Sequence, residues 1–123
     1  QENSLALNKA HKNFLSSEEI KVRITKDNYI VEISKDINPI LAAGESAGIQ
    51  LFSVATTNKL YQILHQQIDY QQHINEFYES AFEELIHRGE KIYAMDIAPF
   101  QSMEIDTETD WRKANNSFNI NIL

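Results

Sequence analysis

The stretch Glu19-Ile20-Lys21-Val22-Arg23-Ile24-Thr25, with Asp27-Asn28 and Tyr29-Ile30-Val31-Glu32-Ile33-Ser34 behind it, decides the fold class. Ile20, Val22 and Ile24 alternate with Glu19, Lys21, Arg23 and Thr25. A period of two marks a strand with one face buried and one face wet. Asp27-Asn28 is turn chemistry, because short polar side chains bond their own backbone and tolerate left-handed φ. The pattern predicts an antiparallel hairpin over 19–34.

Working outward, Asn3 to Asn8 (NSLALN) is a short apolar run and a strand candidate. Residues 9–17 are polar and read as a loop, and 36–44, with Pro39, as a connection. Residues 46–52 form a strand in which Gly48 permits close backbone approach. Ser53 begins a helix or caps one starting at Val54, with Leu60, Ile63, Leu64 and Ile68 at helical spacing. After the polar break 71–73, Asn75 caps a second helix. Its stripe is Phe77, Tyr78, Ala81, Phe82, Leu85 and Ile86, and Gly89 stops it. A strand over 91–97, a turn at 98–100, a short strand at 103–106 and a helix over 107–115 follow. The tail from 117 to 123 carries no pattern. This order defines one mixed α/β domain.

The balance of the 123 residues narrows the function classes. A formal net charge of −7 argues against a nucleic-acid backbone or an anionic membrane as partner. No cysteine is present, which excludes disulfides, thiolate zinc sites and cysteine nucleophiles. No apolar run approaches the ~20 residues of a membrane span. No signal-peptide pattern is visible, so the expected location is cytoplasmic. The histidines, at 11, 65, 73 and 87, contain no i, i+4 pair for zinc. The three glycines, at 44, 48 and 89, form no phosphate-binding loop.

Four pieces carry candidate chemistry. In Glu104-Ile105-Asp106-Thr107-Glu108-Thr109-Asp110, a strand would put Glu104 and Asp106 on one face, about 6.5–7 Å apart. Magnesium takes one or two carboxylates plus substrate phosphates, which this segment could supply. The same residues also read as a helix start, with Thr107 and Asp110 at capping-box spacing. Glu45, between Gly44 and Gly48 at a strand start, suits a ligand cleft or a plain turn. Glu79 beside Tyr78 could receive an ammonium group with a cation–π contact; the other reading is an acidic solvent face with Tyr78 in the core. Lys21 and Lys35, on or next to the hairpin strands, suit phosphate as point charges or protect a sheet edge.

Several segments together resemble one family. NSLALN (3–8), EEIKV (18–22), IVEISK (30–35), GESAGIQLFS (44–53), FYESAFEELI (77–86), KIYAMDI (91–97) and MEIDTETD (103–110) are similar to the C-terminal half of sugar-nucleotide-type nucleotidyltransferases. The nearest branch is the bacterial cytidylyltransferases acting on phosphocholine or 2-aminoethylphosphonate. The resemblance spans roughly residues 3–114. It implies the C-terminal half of a Rossmann-like α/β sandwich with a mixed sheet. It also implies a magnesium-dependent transfer of a nucleotidyl group, from CTP above all, to a small phosphorylated acceptor. On this pattern Asp106 matches a magnesium ligand, and Glu104 shares its face. Lys21 and Lys35 match basic positions near the substrate phosphates, and Glu45, Tyr78 and Glu79 match the acceptor region. The chain departs from the family in length, which is about half, and in lacking the Gly-rich loop and first magnesium aspartate. Glu108 stands where the family often has Pro, Trp111 where it has an aliphatic residue, and Ser80 where related chains carry an acid. The expectation is a partial domain, inactive alone and self-associating. The alternative is a non-catalytic binding or self-assembly module derived from the same fold.

Overall fold

A computed structural model describes residues 3–9, 15–70 and 78–118. Five strands and three α-helices form one mixed α/β layer structure: β1 (Asn3–Asn8), β2 (Lys21–Ile24), β3 (Ile30–Ser34), β4 (Gly44–Leu51), α1 (Val54–His65), α2 (Glu79–His87), β5 (Ile92–Asp96) and α3 (Glu108–Phe118). The strands lie in the order β3-β2-β4-β1-β5. Only β1 and β5 run parallel; the other neighbours are antiparallel.

The hairpin forms as its alternation requires. Val22 faces Ile33 and Arg23 faces Glu32 across it, and the latter pair closes a salt bridge of 2.7 Å. Asn28 turns the chain at φ 64°, the left-handed region that Asn tolerates best after Gly. Beyond the turn the two outermost strands meet. Tyr29 bridges Tyr93, their rings edge to face at 5.9 Å, and the Ala94 amide donates to the Asn28 carbonyl at 2.8 Å. The sheet therefore curls until its opposite edges touch.

The concave side holds the core. Leu5 and Leu7 of β1, Val22, Ile30, Ile33, Ile92 and Ala94 surround Phe82 of α2. Glu83, one residue along, accepts the outward amide of Ile33 at 3.2 Å and so covers the β3 edge. A second cluster, Ile63, Ala81 and Leu85, joins α1 to α2. Asn3 ties the corner: its amide accepts from the Ser53 N–H at 2.8 Å and donates to the Lys91 carbonyl at 3.2 Å. Ser53 caps α1 through the Thr56 amide, as its position before the apolar stripe predicts.

Three expectations fail here. Residues 103–106 form no strand: they are exposed and irregular, with Met103 and Ile105 both on the surface. Alternation alone does not make a strand without a neighbour to complete the ladder, and no described strand pairs with this segment. Ile68 leaves the α1 stripe because Gln66–Tyr70 winds as a π-helix and shifts the register, leaving Ile68 exposed. On α2 the inward position belongs to Glu79, and Tyr78 stands half out of the surface, the reverse of the expected stripe. Asn75, Phe77 and the break at 71–73 lie outside the described residues, as do His11 and His73.

Gly44 sits where β4 crosses β1. A Cβ there would lie 2.6 Å from the Asn8 carbonyl oxygen and 3.1 Å from the Lys9 Cα, both backbone atoms that no rotamer can move. Gly44→Ala is expected to destabilise the domain by about 1–3 kcal/mol, as overpacking does. A lowered urea midpoint with an unchanged slope would show it; an unchanged midpoint would mean the strands can separate freely here.

Candidate functional site

The three segments that carry most of the resemblance are remote in sequence, and the fold brings them together at one place. Gln50 comes from the end of β4, Tyr78 and Glu79 from the start of α2, and Glu104 from the irregular segment before α3. Gln50 and Glu79 lie close enough to the Tyr78 hydroxyl to act on it, and Glu104 acts on it through its charge. Burial raises the phenol above its ordinary value of 10.0, the charge and proximity of Glu79 raise it further, the Gln50 amide opposes, and the charge of Glu104 adds to the rise.

Glu79 is the unusual member. It is 4% exposed, and neither carboxylate oxygen has a hydrogen-bond partner; the Gln50 Nε2 is also buried without one. The Tyr78 hydroxyl is thus near both groups without a well-formed bond to either. Glu79 occupies the first turn of α2, where the positive end of the helix dipole favours an anion. A dipole does not replace donors, and a buried carboxylate left unpaired costs several kcal/mol. The surrounding surface is aromatic. Tyr78 meets Phe82 edge to face at 5.2 Å, and Phe82 meets Phe52 likewise at 5.3 Å. The arrangement can hold a cation: carboxylate acceptors inside, a second carboxylate at the rim and a π face beside them.

The other predicted residues form a separate group. Ser34, Lys21, Glu45 and Asn8 make one transverse row across β3, β2, β4 and β1. Lys21 is 1% exposed, and its ammonium donates to the Ser16 carbonyl at 2.7 Å and the Glu19 carbonyl at 3.0 Å. Its charge is spent on holding the 15–20 loop against the sheet. Lys35 follows β3, half-buried in the turn beside this row. Glu45 pairs with Asn8 and Gln50 with Leu5, so a bulge in β4 around Gly48 shortens their five-residue separation to the three-residue span of β1, about 10 Å. Glu45 stands in this row between Lys21 and Asn8.

At the start of α3 the capping reading holds. The Thr107 hydroxyl accepts the Asp110 amide at 3.1 Å, and the Asp110 carboxylate accepts the Thr107 amide at 3.1 Å and its hydroxyl at 2.7 Å. These bonds hold the Asp110 carboxyl below its usual range. Glu104 and Asp106 share no strand face, so their expected spacing lapses. No group of three or more His, Asp or Glu that could hold a metal occurs among the described residues.

Gln50 is the member that reading the sequence passes over. A polar side chain near the end of an otherwise apolar strand stretch, Ile49 to Phe52, is the signal that could have marked it. No protein-family model and no curated protein matches the chain. Among the described residues no helix is long and apolar enough to cross a membrane.

The raised phenol gives a direct check. In a spectrophotometric titration one tyrosine should ionise above pH 10, and that step should vanish in Tyr78→Phe. Glu79→Gln should lower it without returning it to the ordinary value, because burial is the larger cause. A step unmoved by Glu79→Gln would mean the two groups do not interact.

Proposed function

We propose that the chain is the acceptor-binding portion of a magnesium-dependent nucleotidyltransferase. It would serve transfer of a cytidylyl group from CTP to a small phosphorylated alcohol, phosphonate or sugar phosphate, and be inactive alone. The observation that supports this most is a buried, unpartnered Glu79 beside Tyr78 and Gln50, with the charge of Glu104 also acting on Tyr78. They come from the three segments on which the resemblance is most specific. In this reading Tyr78 and Glu79 hold the far end of the acceptor. Asp106, exposed just beyond Glu104, would hold magnesium together with phosphate oxygens and water, which suits an ion that needs few protein carboxylates. When bound, the ion would offset charge on the triphosphate. Lys21, buried with its ammonium on two loop carbonyls, is already committed to the scaffold. The cytoplasm is the proposed location.

Titrating the labelled chain with small phosphorylated acceptors should move the amide resonances of Gln50, Tyr78, Glu79 and Glu104 in a saturable way. Pyrophosphate release from CTP and magnesium should stay at background. Steady, chelator-sensitive release by the chain alone would overturn the proposal that it is one portion of the enzyme.

A second reading, self-assembly, is favoured by β4. Its outer edge is paired with β2 only through Gly44 and Glu45, with the Ser46 amide bonded to the Ile20 carbonyl. Beyond that the strand runs on to Leu51, with Ile49 and Leu51 exposed. From Ser46 to Asn58 the sequence carries no charged residue, in a chain of net charge −7. An uncharged open edge is where like-charged copies can meet. Light scattering should report a species larger than 14.2 kDa, and Ile49→Lys should shift it toward monomer; a clean monomer at high concentration would exclude self-assembly.

A further inference from the structure

We draw no further inference here: the strongest candidate, the exposed apolar side chains Phe100, Met103, Ile105 and Trp111 on α3 and on the segment before it, which Gln101 ties back to the Ser117 carbonyl, carries nothing because no feature of the structure shows what covers it.

Discussion

The curl of the sheet is the constraint on which the rest depends. Once Tyr29 bridges Tyr93, the strands enclose a concave space wide enough for one helix, and α2 fills it with Phe82. That placement fixes the start of α2 against the end of β4. Glu79 and Gln50 both come within reach of Tyr78 for this reason. Asn3 does similar work from the other side, since one amide side chain joins the β4–α1 corner to the start of β5. Local hydrogen bonding and global curvature agree, and the candidate site lies where they intersect.

Most of the scaffold was legible because its signals are local. The alternation of Ile20, Val22 and Ile24, the Asp27-Asn28 turn, the Ser53 cap and the Thr107-to-Asp110 spacing each depend on neighbours within a few residues, and each forms. The misses depend on partners far along the chain. Residues 103–106 alternate like a strand but find no ladder. Lys21 reads as an exposed strand lysine, yet the 15–20 loop folds over it and supplies two carbonyls. Which of Tyr78 and Glu79 turns inward cannot be decided from their order, because it is set by how α2 enters the curl. The candidate site was thus half visible: its segments could be named, but Gln50 was not seen.

Glu79 shows how a fold can tolerate a local conflict. The packed cluster that holds Phe82 and the dipole of α2 keep the helix in place while one carboxylate goes without donors. Natural sequences break a local rule of this kind chiefly where function requires it. Replacing such a group with an apolar residue of similar shape is often neutral or stabilising, so stability alone would not keep a glutamate here.

The π-helical turn Gln66–Tyr70 has a consequence for phase. An α-helix advances about 100° per residue, so one extra residue in a turn rotates everything after it by roughly that angle. Ile68 has already been carried off the stripe defined by Leu60, Ile63 and Leu64, while the His65 Nδ1 pairs with Asp69 at 2.7 Å across the widened turn. The turn works as an angular offset between the part of α1 that packs on α2 and the residues Gln66–Tyr70. Its composition can drift so long as its residue count does not. Removing one residue would return Ile68 to the core side, a rotation that no side-chain substitution at these positions could reproduce.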